Sequence, residues 1–283
     1  MLTSTFQLAR GVGPARERML WRTGITRWPE FPSAATAAVA ISPAADARLR
    51  VALDDAAGAL RRRDCQRLAR LLPSSEHWRL FPAFGERAAF LDIETGDDDW
   101  GRAGISAIGI WDASGAHLLL PGRDLHRFPS LARDWSMLVT FNGLSFDVPV
   151  LRQAFPDWQP PDCHIDLRHV LARLGHHGGL KSIERALVSL NLRRPPHLAA
   201  IDGWAACHLF RRAQHGDRQA LRLFAEYNLY DVINLRTLMA YAYNAMVERE
   251  SADAPALREA APPLPVPERG DSLYDVSKIL LSL

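Results

Sequence analysis

The sequence predicts a layered α/β domain with a small helical module in front of it. Three observations lead there. Short apolar runs suited to buried strands open the central region as a meander. Helical stretches then alternate with strand candidates, and the region closes on a long amphipathic stretch close to free of Gly and Pro. The 283 residues suffice for a sizeable core, and 48% hydrophobic with 23% charged residues is an ordinary globular balance.

Residues 1–80 read as an N-terminal helical region. Gly11-Val12-Gly13-Pro14 is a tight turn, and a helix over 15–21 is closed by Gly24. Residues 32–46, rich in Ala, Ser and Pro, read as a linker. Helical periodicity resumes over 47–72, with Leu49, Leu53, Ala56, Leu60, Leu68 and Leu71 on one face. Residues 86–250 form the main domain. The run 88–93 suits a buried strand; 105–111 and 117–120 follow as strands, with turns at 101–104 and Ser114-Gly115. A short helix is expected over 125–133, then an apolar strand over 137–141 ending at Asn142-Gly143. The stretch 146–155 reads as a helix, since Pro149 is tolerable in a first turn. Helices are expected over 181–190, 204–215 and 217–247. Residues 251–283 contain Pro262-Pro263-Leu264-Pro265 and read as an extended or disordered arm.

The net charge is +2, so any basic footprint for a nucleic acid has to be local. Cys65, Cys163 and Cys207 are widely separated, odd in number and without paired metal spacing, which fits a reducing cytoplasm. No apolar stretch is long enough for a membrane span. Arg10, Glu17 and Arg18 stand where a secretion signal needs an apolar run. The expectation is a cytoplasmic protein with no membrane partner.

Three separate segments carry acidic residues in recognisable frames. Asp92 and Glu94 sit in Phe90-Leu91-Asp92-Ile93-Glu94-Thr95-Gly96, Asp147 in Phe141-Asn142-Gly143-Leu144-Ser145-Phe146-Asp147, and Asp231 four residues after Tyr227. Residues i and i+2 of a strand share a face, so Asp92 and Glu94 point one way while Leu91 and Ile93 face the core. Two charges about 4 Å apart repel by roughly 4 kcal/mol at an effective dielectric of about 20. A divalent cation relieves that best, and hard oxygen ligands suit Mg²⁺ or Mn²⁺. Asp147 opens a helix directly after a strand, a corner where ligand groups collect in open α/β sheets. Tyr227 and Asp231 share one face of the last helix. Gathered by the fold, the four carboxylates would hold two metal ions for in-line displacement at a phosphodiester, with Tyr227 orienting the attacking water. Singly, each has a plainer reading: a solvated Asp-x-Glu, a helix-start aspartate, an amphipathic surface. Their order and contexts together favour the metal site.

These motifs resemble those of the DEDD group of 3′–5′ exonucleases. Asp92-Ile93-Glu94-Thr95 resembles the first motif and Asn142-Gly143-x-x-Phe146-Asp147-x-Pro149-x-Leu151 the second. Tyr227-x-x-x-Asp231 resembles the third in its tyrosine, or DEDDy, form. The closest likeness is to the bacterial YprB-like predicted exonucleases, over most of residues 1–250 and including Gly179-Leu180-Lys181-Ser182-Ile183-Glu184. The resemblance implies a ribonuclease H-like fold: a mixed five-stranded sheet, its first three strands antiparallel, flanked by helices. It implies metal-ligand roles for Asp92, Glu94, Asp147 and Asp231, a water-orienting role for Tyr227, two Mg²⁺ or Mn²⁺ ions, and DNA or RNA as substrate. Substrate contacts are expected at Thr95, Asn142, Phe146 and Lys181, although Lys181 also reads as an ordinary exposed lysine. Asn228 and Tyr230 depart from the bulky apolar residues common around the third motif. With no polymerase domain following, the expectation is a stand-alone nuclease. A non-catalytic nucleic-acid-binding module and a structure-specific endonuclease are the rival readings.

The segment around Gly11 and Gly13 resembles a helix-hairpin-helix DNA-binding element. Its glycines would let backbone N–H groups approach a phosphate, and Arg10, Arg16, Arg18 and Arg22 would add sequence-independent attraction. A plain helical turn packed tightly through its glycines is the alternative. Arg61, Arg62, Arg63, Arg67 and Arg70 read as a solvated basic face, and His176-His177 as a loop. Cys163, His164 and Asp166 fit no common zinc spacing; Asp166 is a candidate acid behind the metal ligands. Trp78-Arg79-Leu80-Phe81 reads as packing between the N-terminal helices and the main domain.

Overall fold

Strand β1 (Ala88–Asp97) alternates its side chains between two apolar clusters. Ala89, Leu91 and Ile93 enter one; Ala88 and Phe90 enter the other, and the same face continues outward as Asp92 and Glu94. A computed structural model describes residues 1–32, 41–97, 103–192, 194–252, 254–267, 276–281 and 283, apart from the side chains at 97, 103 and 278. Around β1 the sheet has the order β3-β2-β1-β4-β5. β2 (Ala103–Asp112) and β3 (Gly115–Leu119) form an antiparallel meander with β1, and β4 (Met137–Thr140) and β5 (Cys163–Asp166) add in parallel on the other side. The expected mixed five-stranded sheet, with its antiparallel opening, is the sheet observed.

The register places the acidic residues. β4 pairs with β1 only from Ala88 to Phe90, so Asp92 and Glu94 project past the end of the parallel ladder. A bulge between Glu94 and Thr95 interrupts the pairing with β2 just beyond them. Such irregularities re-aim side chains, and open sheets bind ligands at their carboxyl ends.

One face of the sheet packs on Phe128, Trp135, Leu151 and Trp158. Leu151 comes from α4 (Asp147–Ala154), whose Pro149 lies in the first turn. The other face packs on the long helix at the end of the main domain, and the N-terminal helices continue the same apolar cluster. These are α1 (Pro14–Arg22), α2 (Pro43–Arg61) and α3 (Cys65–Leu71). α5 (Leu167–Arg173), α6 (Leu180–Ala186) and α7 (Gly203–Gln214) precede the long helix, α8 (Arg218–Ser251).

Several details differ from expectation. The periodicity over 47–72 is broken into α2 and α3, because Arg63 turns left-handed (φ 55) and Asp64 caps α3 by accepting the Arg67 N–H at 2.9 Å. α2 starts at Pro43, inside the stretch read as a linker; 33–40 lie outside the described residues, as do 101 and 102 of the turn at 101–104. The stretch 125–133 is a four-residue α-helical turn, Phe128–Leu131, between two 3₁₀ turns rather than one continuous helix, and 181–190 is α6 followed by a turn at Val188–Leu190. β5 and α5 had no reading of their own in the sequence. In the C-terminal stretch Ala256–Ala260 is helical, and Asn244 clamps Leu264 through two hydrogen bonds of 2.8 and 2.9 Å.

Gly109 permits the close seating of α8. It stands opposite Asp92 in the β1–β2 ladder, and a Cβ there would lie 2.2 Å from Asn228 Oδ1 and 2.8 Å from Val232 Cγ2. Gly109→Ala is therefore expected to push α8 off the sheet and destabilise the fold by about 1–3 kcal/mol. Denaturant unfolding checks this, and a midpoint equal to the parent's would contradict it.

Candidate metal centre

Carboxylate oxygens of Asp92, Glu94 and Asp231 all lie within 4.8 Å of one another. β1 supplies the first two from one face, and α8, lying across the sheet, supplies the third. Asp147 falls outside that set of three, but its charge raises the pKa of Asp92, and that of Asp231 raises its own. It is buried at the first position of α4, where its Oδ1 accepts the Ile93 N–H at 3.0 Å. The four acids of the sequence motifs are thus neighbours at one end of the sheet.

The group is anionic beyond what it can comfortably hold. Burial, then the charges of Asp231, Asp147 and Glu94, push the Asp92 carboxyl well above the usual carboxylate range. Burial and the charge of Asp231 push Glu94 up to about 8. Asp147 is pushed up to about 7 by burial, against the lowering effect of the Ile93 N–H. Clustered hard oxygen donors at raised affinity for protons fit a divalent cation of the Mg²⁺ or Mn²⁺ kind.

Three of the acids have one oxygen engaged by a protein donor. Asn228 Nδ2 donates to Asp92 Oδ2 at 3.0 Å. The Ile93 N–H occupies Asp147 Oδ1, and Arg194 Nη2 is paired with Asp231 Oδ1. Outer partners of this kind fix which oxygen a ligand presents. Sequence reading missed Arg194 and took Asn228 only as a departure from pattern. An i, i−3 relation to Asp231 on α8 was the one signal available for Asn228.

Tyr227 lies one turn before Asp231 on α8, and Lys181, at the start of α6, covers it. Lys181 Nζ sits 3.9 Å from the ring centroid and donates to the Tyr227 hydroxyl and, at 2.9 Å, to the Ile201 carbonyl. Lys181 is therefore half-buried within the site rather than an exposed lysine. Burial and the charges of Asp231 and Glu94 push the Tyr227 phenol up, so its O–H stays protonated. Lys181, Glu184 and Arg194 also line a cavity of about 390 Å³ with Arg185, Leu192, Pro196 and Ala199.

The remaining candidates divide. Thr95 follows Glu94, and its carbonyl accepts Cys207 Sγ–H from α7 at 3.3 Å. Asn142 is left-handed (φ 69), and its side chain accepts Arg168 Nη1 at 2.5 Å. Phe146 caps α4 and is 41% exposed. Asp166 supports the site through hydrogen bonds. At the end of β5 it accepts the Asn142 N–H at 2.8 Å and the Leu144 N–H at 3.1 Å, which shapes the loop that presents Asp147. Gly11 and Gly13 are not brought to the carboxylates. Gly11 packs against Ala45, Arg48 and Arg16, and Gly13 is the N-cap of α1. No described helix is long and apolar enough to cross a membrane.

A family model described as RNase_H superfamily matches residues 89–243, more than half of the chain and the whole span from β1 to the third motif. No curated protein and no solved structure matches significantly.

Proposed function

Since the chain belongs to the RNase_H superfamily, we propose that it is a metal-dependent 3′–5′ exonuclease of the DEDDy type, similar to the YprB-like enzymes, acting on DNA or RNA ends. The observation that carries this reading is the approach of Asp92, Glu94 and Asp231 oxygens within 4.8 Å, with Asp147 beside them. Asp92, Glu94, Asp147 and Asp231 would hold two Mg²⁺ or Mn²⁺ ions. Bound cations supply Lewis-acid stabilisation of the phosphoryl oxygens and lower the pKa of the attacking water.

The side chains of this chain do the rest. Tyr227, kept as a neutral phenol, orients that water through its hydroxyl. Lys181 sets the phenol by hydrogen bond and ring contact and meets a substrate phosphate at the same place. Phe146, partly exposed at the head of α4, offers a ring for a nucleobase to stack on, with Thr95 and Asn142 lining the approach. The cavity of about 390 Å³ is of ligand-site size and takes the terminal nucleoside. The N-terminal hairpin would add phosphate contacts through Arg10, Arg16, Arg18 and Arg22.

Incubation of 3′-labelled and 5′-labelled oligonucleotides with Mn²⁺ or Mg²⁺ tests the reading. Release of nucleoside monophosphates from the 3′ end is expected, with none in EDTA and none from a circular substrate. Equal cleavage by the parent and Asp147→Asn, or binding without metal-dependent turnover, would refute it. Cleavage of the circle would replace it with an endonuclease.

A further inference from the structure

Arg194 is a buried cation inside an acidic cluster, and nothing in the motifs accounts for it. Its side chain is 5% exposed. The guanidinium is gripped on one side by Glu184, Nε to Oε2 and Nη2 to Oε1, both at 2.9 Å. Glu184 is itself fixed by Asn234 Nδ2 at 2.9 Å from α8. The same Nη2 is paired with Asp231 Oδ1. A forked arginine held by a buried carboxylate has little freedom to swing away, unlike a lysine on a flexible stem. It therefore stands as a permanent positive charge against one oxygen of a metal-ligand candidate.

We infer that Arg194 and Glu184 form a built-in counter-ion pair that sets the affinity of the carboxylate site for divalent cations and presents Asp231 through its other oxygen. The inference rests on the metal-site reading and deepens it. The electrostatics have a definite sign. Arg194 lowers the attraction of the site for a cation, and Glu184 offsets part of that effect from behind. Removing Arg194 exposes both Asp231 and Glu184 as uncompensated anions, and cation binding tightens. Removing the charge of Glu184 while keeping Arg194 leaves the guanidinium uncompensated, and cation binding weakens. A pair that merely braced the fold would give the same direction for both changes, since each breaks the same contact.

Titration of metal-free protein with Mn²⁺, read by calorimetry and by the loss of free-ion electron spin resonance signal, separates these cases without any turnover. Arg194→Gln is expected to lower the dissociation constant about tenfold and Glu184→Gln to raise it about tenfold. Arg194→Lys keeps the charge but loses the fork, so it is expected to shift the constant in the same direction as Arg194→Gln and by less. Circular dichroism confirms that each variant is folded, and Glu184→Gln, near-isosteric and still an acceptor for Asn234, guards against loss of fold. Unchanged affinity in both variants, or a shift of both in the same direction, overturns this inference alone. A parent that binds no Mn²⁺ overturns the metal-site reading and this inference with it.

Discussion

Asp92→Asn is expected to reduce metal-dependent cleavage by on the order of 10³-fold or more while raising the stability of the metal-free protein. Both effects have one cause. Asp92 stands with Glu94 and Asp231 in a group whose oxygens crowd within 4.8 Å. The charges that would ligate a cation repel each other without one. An amide keeps the size of the side chain and can still meet Asn228, but it removes one anion from the crowd. Stability gained on losing a functional group is the usual trade at a strained site.

The pH dependence follows with a fixed sign. Glu94 is raised to about 8 and Asp147 to about 7, with Asp92 raised in the same direction. The folded chain then holds protons that the unfolded chain has released. The stability these groups contribute is present below the ordinary carboxylate range and is lost as pH rises through about 7–8. The Met1 amine, pushed down to about 5, and His164, pushed down to about 4, act in the opposite sense over part of that range. Both cancel in the difference between parent and variant. In EDTA the advantage of Asp92→Asn should therefore grow from pH 5 to pH 8, reaching roughly 1 kcal/mol, or about 2–4 °C in melting temperature. Added Mn²⁺ should reverse the order, because only the parent holds its full ligand set. Parallel melting curves at every pH would show that these carboxylates do not repel.

What the sequence disclosed and what it hid divide along one physical line. Asp92, Glu94, Asp147, Tyr227 and Asp231 each carry a local signature: an i, i+2 pair on an apolar strand, a helix start after a strand, an i, i+4 pair on a helix. Such patterns survive in one dimension because the backbone period decides which side chains share a face. Arg194 and Asn228 act across the fold. Arg194 meets Asp231 from 37 positions away, and Asn228 meets Asp92 from 136 positions away. Only Gly109, whose missing Cβ lets α8 approach, makes the second contact possible. β5 was hidden for another reason. Cys-His-Ile-Asp is a four-residue strand, fully buried and paired in parallel, with polar residues that find partners inside. His164 Nε2 lies 2.8 Å from Thr140 Oγ1, and Asp166 accepts two backbone N–H groups of the neighbouring loop. Its polarity belongs to the support of the site rather than to a strand surface, so neither alternation nor a long apolar run announces it.

Arg79→Met is expected to cost about 3–5 kcal/mol of folding stability. The Arg79 side chain is 1% exposed and pairs with Glu17 Oε2 at 3.0 Å and Glu76 Oε2 at 2.7 Å, both also buried. Glu17 further accepts from Thr5 Oγ1, the Phe6 N–H and Gln7 Nε2, each at 2.7 Å. Glu76 also meets Arg173 of α5 at 3.0 Å. One guanidinium thus ties the first residues of the chain and α1 to the helices beside the sheet, while stacking 4.9 Å from the Trp78 ring and 5.6 Å from that of Trp21. Methionine fills the space but leaves the buried Glu17 carboxylate without its cation and Glu76 with Arg173 alone, and uncompensated buried charge costs more than a lost contact. Replacing Glu17 and Glu76 by Gln together with Arg79→Met should recover most of the loss, since a neutral, filled triad carries no such penalty. Denaturant midpoints of the parent, the single variant and the triple variant decide the matter. Equal losses in the single and triple variants would mean that packing, not charge, holds the module. Glu17 lies one turn after Gly13, so the same network also fixes where the hairpin glycines stand. If that hairpin grips a phosphate backbone, the single variant should lose nucleic-acid affinity at temperatures where the carboxylate site is still folded.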